Sequence, residues 1–137
     1  MTASEFIDST LGKPWVNRGE GPSNYDCWGL VLASFRKIDG VELPSVCGYA
    51  ENASTNEAAG NAISSGAFPV YPCQDGDIAC YYDSNNEFVH VGRVLLGGVL
   101  HSRQNGHSGT GGVTWDKIAL LERHFHKVEY RRYANLS

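Results

Sequence analysis

Cys27 follows Asp26 at the head of a segment in which Leu30, Val31, Ser34, Phe35 and Ile38 recur at helical spacing. The pattern predicts a helix that starts at Asp26 or Cys27, with Asp26 as N-cap and Gly40 as C-cap. A helix start carries partial positive charge and unpaired N–H groups, so a thiol there is expected to ionise more easily. A nucleophilic thiol also needs a base. His90 lies inside the strand-like run Phe88-Val89-His90-Val91-Gly92, and His101 inside Val99-Leu100-His101-Ser102. His107, His124 and His126 fall in or near expected loops and element ends. These residue types suit thiol–imidazole catalysis. Their types and spacing fit equally a buried structural thiol and two hydrogen-bonded strand histidines. None of Cys27, Cys47, Cys73 and Cys80 makes a C-x-x-C pair, so no metal site is expected.

Whether the two histidines meet depends on the hairpin between them. With Gly97 and Gly98 as a two-residue turn, paired residue numbers sum to 195, and His101 faces Val94 on the same sheet face as His90. The four residues between Val94 and His90 then span roughly 13 Å. A register two residues tighter sets His101 opposite Gly92, diagonal to His90 at about 7–8 Å. A three-residue loop puts the rings on opposite faces. The sequence leaves the register open.

Around these residues the pattern predicts a first helix over Ser4 to Leu11, capped by Ser4 and ended by Gly12 and Pro14. A loop with Gly and Pro runs to Asn24. Cys47 to Gly66 reads as a long connection carrying a helix over Asn56 to Ser64. Strands are expected at Ile78 to Tyr82, Phe88 to Leu96 and Val99 to Ser102, after the turn Gln74-Asp75-Gly76-Asp77. A Gly-rich loop spans Gln104 to Gly112, a short helix falls within Val113 to Arg123, and Lys127 to Tyr133 alternates as a last strand. Helices first and an antiparallel meander after them give an α+β class, N-terminal helices packed on an antiparallel sheet.

The 137 residues suit one domain, 1–137, large enough to bury a core without disulfides or metal. With 42% hydrophobic and 19% charged residues the chain is a folding sequence. A net charge of −4 and scattered basic residues argue against nucleic acid as partner. No apolar run approaches the ~20 residues of a membrane span, and the N-terminus shows no signal-peptide pattern.

A set of short motifs adds to this reading. Leu11-Gly12-Lys13-Pro14-Trp15, then Gly19, Gly21-Pro22 and Tyr25-Asp26-Cys27-Trp28-Gly29-Leu30-Val31, resemble the opening of the NlpC-type cysteine peptidases, papain-like cell-wall endopeptidases. Gly76-Asp77-Ile78, His90-Val91-Gly92 and Leu100-His101-Ser102 follow in the family's order, so the resemblance covers nearly the whole chain. It implies a papain-like fold with Cys27 as nucleophile, His90 as base and His101 as the residue that orients the imidazole. Asp26 matches the acid before the nucleophile, and Asp77 a structural turn residue. Two positions depart from the pattern. Trp28 stands where the wall enzymes usually have Ser, and Trp15 where Tyr is common. Asp26, Trp15 and Trp28 are candidate supports of the oxyanion or substrate site, with core packing the simpler reading of both tryptophans.

The resemblance implies hydrolysis of a peptidoglycan stem peptide, typically at the γ-D-glutamyl–diamino acid bond, with no cofactor. The Cys-Trp-Gly-Leu-Val form resembles versions carried by tailed phages and prophages. It suggests tail-tip proteins as partners and the virion tail, or the producing cell's cytoplasm before assembly, as location. A non-catalytic structural tail-tip subunit that keeps the fold is the alternative. A third reading is a thiol amidase or acyltransferase on another substrate.

Overall fold

The computed structural model describes residues 1–43, 63, 66–104 and 111–133. Cys47, His107 and the helix expected over Asn56 to Ser64 lie outside them, apart from Ile63, which is buried in the core. Helix α1 (Ala3–Thr10) is capped two residues earlier than expected. Thr2, not Ser4, is the N-cap, because it forms a reciprocal capping box with Glu5. Helix α2 (Cys27–Ser34) starts as predicted, with the Asp26 carboxylate accepting from Gly29 N–H at 2.6 Å. It continues as one π-turn, Phe35–Asp39, and ends at Gly40 in the left-handed conformation (φ 67°).

Every residue of α2 is buried. An all-round apolar helix must be covered on all sides. Trp28, Val31, Leu32 and Phe35 pack on Ile78, Cys80 and Val91 of the sheet. Leu30 and Ala33 meet Phe6 and Ile7 of α1 together with Leu95, Leu100 and Val113.

The sheet has six antiparallel strands: β1 (Ala67–Val70), β2 (Ile78–Tyr82), β3 (Phe88–Leu95), β4 (Gly98–Arg103), β5 (Gly112–Lys117) and β6 (Lys127–Tyr133), in spatial order β1-β6-β2-β3-β4-β5. Helix α3 (Ile118–His124) joins β5 to β6 and packs Leu121 against Ala79, Tyr81, Val94, Val99 and Tyr130 on the face away from α2. This is the short helix expected within Val113 to Arg123; the residues of that segment before it are strand. Val113, Thr114 and Trp115 are β-branched or aromatic, and they add an edge strand to β4. β1 is also additional to the sequence reading; with Pro69 in it, it can only be an edge.

The hairpin takes the tighter of the two even registers. Leu95 pairs with Gly98 and Arg93 with Leu100, so paired numbers sum to 193 and the turn is Leu96-Gly97, both at positive φ. Gly98 belongs to the strand because the Trp115 indole covers it. A Cβ at Gly98 would stand 2.7 Å from that ring.

Candidate active site

β3 and β4 pair only from Leu95↔Gly98 to Arg93↔Leu100. Beyond that point β3 stays with β2 back to Phe88, and β4 stays with β5 out to Arg103. The two strands part like a fork, and the N-terminus of α2 lies at the opening. Val94 gives both its N–H and its C=O to the Gly76–Asp77 side. Strand alternation therefore turns the Val91 N–H toward the fork, where it donates to the Cys27 sulfur. The N–H groups of Trp28 and of Cys27 itself converge on the same sulfur.

The approach to α2 is fastened to β4 and β5. Ser102 Oγ donates to Tyr25 O at 2.7 Å, Tyr25 N–H donates to Pro14 O, and Lys13–Trp15 bond to Gly111 and Val113. Asp26 is almost wholly buried, and its second oxygen accepts from Arg18 N–H at 2.6 Å. Its carboxylate shapes the turn before the thiol. The Trp28 side chain is fully buried in the core, in line with the packing reading, while its backbone N–H reaches the Cys27 sulfur. Trp15 is half-buried on the loop beside β5.

His90 and His101 share the sheet face opposite α2, and the fork brings them together. His90 Nε2 and His101 Nδ1 are 2.8 Å apart. His101 Nε2 stands 2.8 Å from Asp116 Oδ2, and Thr114 Oγ1 donates to that oxygen at 3.3 Å. Val99 pairs with Asp116 and His101 with Thr114, so Asp116 is the diagonal neighbour of His101 on the same face. Phe125 stacks on the His90 ring at 5.6 Å, with Tyr81 at 5.9 Å on the same imidazole. Sequence reasoning missed both Asp116 and Phe125. The β-forming triplet before Asp116 was the available signal for the first; nothing local marked the second.

Gly92 has a steric duty here. A Cβ on it would lie 2.6 Å from Val99 Cγ1 and 3.0 Å from His101 Cβ. Gly92→Ala is expected to displace His101 and lower the melting temperature by several degrees, about 1–3 kcal/mol of overpacking. A melting curve unchanged from wild type would show that the two strands separate freely.

The electrostatics correct one expectation. Burial, reinforced by the Asp26 charge, pushes the Cys27 thiol up to about 12 despite three N–H donors. Desolvation outweighs the helix terminus. Burial likewise lowers His90 well below the usual imidazole range, with the His101, Arg103 and His124 charges adding to it. His101 is lowered by burial against the pull of Asp116. The resting site therefore holds a neutral thiol and neutral imidazoles at pH 7. With the thiol raised, the thiolate fraction grows about tenfold per pH unit below its pKa. Alkylation of Cys27 by iodoacetamide is expected to climb in that way from pH 7 to pH 10. A plateau already reached at pH 6 would mean a preformed ion pair. Among the described residues no group of three or more His, Cys, Asp or Glu is placed to hold a metal ion.

A helix presenting a thiol at its N-terminus to a histidine-bearing antiparallel sheet is the papain-like arrangement. The sequence profile of the NlpC/P60 family matches residues 12–108, most of the chain, and the protein belongs to that family. No curated protein matches it by sequence. Among solved structures, the NlpC/p60 domain of the peptidoglycan hydrolase SagA superposes with a TM-score of 0.60 at 19% identity, covering 95% of this chain and 94% of that one. NlpC1 and NlpC2 from Trichomonas vaginalis each give 0.62, at 21% and 22% identity, covering 96% of this chain. The chain spans 42% and 45% of those two. At these identities the likeness is one of fold.

Proposed function

We propose that the protein is a cysteine endopeptidase of peptidoglycan stem peptides, with Cys27 as nucleophile, His90 as base and His101 as the group that orients it. The observation that carries this reading is the fork. It sets the Cys27 sulfur against the Val91 N–H, one residue from an imidazole whose Nε2 is already engaged by His101. His90 Nδ1 is then the nitrogen left to receive the thiol proton. The thiolate attacks the scissile carbonyl, and the N–H groups of Cys27 and Trp28, which lie against the sulfur, would take up the oxyanion that forms beside it. Collapse expels the amine, which takes its proton from the His90 imidazolium. Water activated by His90 then releases the acid and the thiol. The wall substrate is supported by family membership and by the hydrolase among the structural neighbours. The γ-D-glutamyl–diamino acid bond follows the family resemblance. The tail-tip setting rests on the Cys-Trp-Gly-Leu-Val form alone.

The deeply buried, un-ionised thiol favours a second reading, a structural tail-tip subunit that keeps the fold without using the site. Mass spectrometry of purified muropeptides after incubation decides between them. Cleavage within the stem by the wild type, absent with Cys27→Ala, supports the peptidase. Intact muropeptides from every wall type tested reject it.

A further inference from the structure

We infer that Asp116 is a positioning residue that sets the tautomers of both histidines, extending the site to Cys27–His90–His101–Asp116. The inference rests on the peptidase reading and deepens it. It follows from counting donors. An ionised carboxylate only accepts hydrogen bonds, so the 2.8 Å contact to Asp116 Oδ2 requires a proton on His101 Nε2. A neutral imidazole carries one N–H, so His101 Nδ1 is then a bare lone pair. The 2.8 Å contact between His101 Nδ1 and His90 Nε2 must therefore be donated by His90. That leaves His90 Nδ1 bare, and a bare nitrogen is what a base needs to take the Cys27 proton. When it does, the proton moves from sulfur to Nδ1, and a thiolate and an imidazolium replace two neutral groups. The Asp116 carboxylate faces the histidine pair as its positive charge appears.

Reversing the chain gives the opposite result. With a donor in place of the carboxylate, His101 carries its proton on Nδ1, donates to His90 Nε2, and leaves an N–H on His90 Nδ1. That imidazole cannot accept the thiol proton. The register makes Asp116 suitable for this task. It lies diagonally across from His101, and its oxygen is further held by Thr114 Oγ1 at 3.3 Å.

The test is Asp116→Asn, an isosteric change whose amide offers an N–H as readily as an oxygen. Two readouts are taken. Long-range proton–nitrogen spectra of the labelled imidazoles should show Nε2–H on both His90 and His101 in the wild type, and Nδ1–H forms in the variant. Steady-state cleavage of muropeptides should show kcat lowered on the order of 10- to 100-fold with KM unchanged. Asp116→Glu, which still only accepts, should keep the wild-type tautomers and recover most of the rate. Wild-type tautomers in both Asp116→Asn and Asp116→Ala, or a kcat within about threefold of wild type in Asp116→Ala, overturn the inference. If the Asn variant does not fold, the spectra are taken on Asp116→Ala alone. Mixed tautomers there support the inference, and unaltered ones overturn it. A wild type that cleaves no stem peptide defeats the peptidase reading, while the tautomer comparison still decides what Asp116 does.

Discussion

Cys27→Ala is expected to reduce stem-peptide cleavage by on the order of 10⁴-fold or more, and His90→Ala by a similar factor. The two act as one unit, so the double variant should be little worse than either single one. A factor of 10⁴ corresponds to about 5.5 kcal/mol of barrier. That loss is the covalent route itself, leaving only what the backbone N–H donors and substrate binding supply. His101→Ala should cost less, on the order of 10²-fold, because it acts through the orientation of His90. Stability separates this from unfolding. Cys27 is 6% exposed and packs with Trp28, Val31 and Val91, so removing its sulfur leaves a small void worth about 1 kcal/mol. The helix start itself is held by Asp26 and does not depend on the thiol. The measurement is a rate series on purified muropeptides beside denaturant unfolding of the same variants. Retention of more than a tenth of the rate in Cys27→Ala would remove Cys27 as nucleophile. A fall in rate matched by a fall in folded fraction would make the residue structural.

The elements that carry local signals were legible in the sequence. Asp26 capped α2 because its carboxylate had a partner three residues on, and Gly40 ended the helical run because glycine takes a left-handed conformation without strain. The strands Ile78–Tyr82, a continuous apolar run, and Lys127–Tyr133, which alternates, stand where the pattern put them. Tertiary choices were not legible. The turn fell on Leu96-Gly97 because Trp115, distant in sequence, covers Gly98. The same covering strand carries Asp116, which a helix reading of Val113 to Arg123 concealed. A common face for His90 and His101 followed from the hairpin only for a two-residue turn, and the sequence left the turn length open. Their contact could not be derived, because it needs β3 and β4 to part where β2, β5 and the end of α2 hold them separately. A depressed thiol pKa was the natural expectation for a helix start, and depth of burial, which no local pattern encodes, reversed it.

The largest expected effect on stability lies away from the thiol, at Asp39. Arg93 of β3 has a side chain only 3% exposed, and Asp39 Oδ2 meets its Nη1 at 2.7 Å from the last position of the π-turn that extends α2. The guanidinium also donates to Gly76 O at 3.1 Å and to Ser34 Oγ at 3.3 Å, and it lies 3.6 Å over the Phe35 ring. One cation thus ties the end of α2 to β3 and to the turn before β2. Asp39→Ala would leave that cation buried with two neutral acceptors, a ring and only the Asp77 charge nearby, itself paired with Arg132. Stranding a buried charge costs about 3–5 kcal/mol, and the lower end applies because the Asp39 side chain is 28% exposed and its pairing is partly screened. In a domain of this size about 3 kcal/mol lowers the melting temperature by roughly 10 °C. Arg93→Met should cost less than Asp39→Ala. It removes the buried charge and keeps an apolar stem over Phe35, while Asp39 hydrates where it stands. The double variant should then be no less stable than Arg93→Met alone, giving a coupling energy of about 3 kcal/mol between the two sites, the upper end of that seen for contacting residues. Urea unfolding of the four proteins measures it. Additive effects would mean that Arg93 is held by Gly76, Ser34 and Phe35, with Asp39 a bystander. The reverse order, Arg93→Met the worse of the two, would mean that its hydrogen bonds to the Gly76 turn outweigh the ion pair.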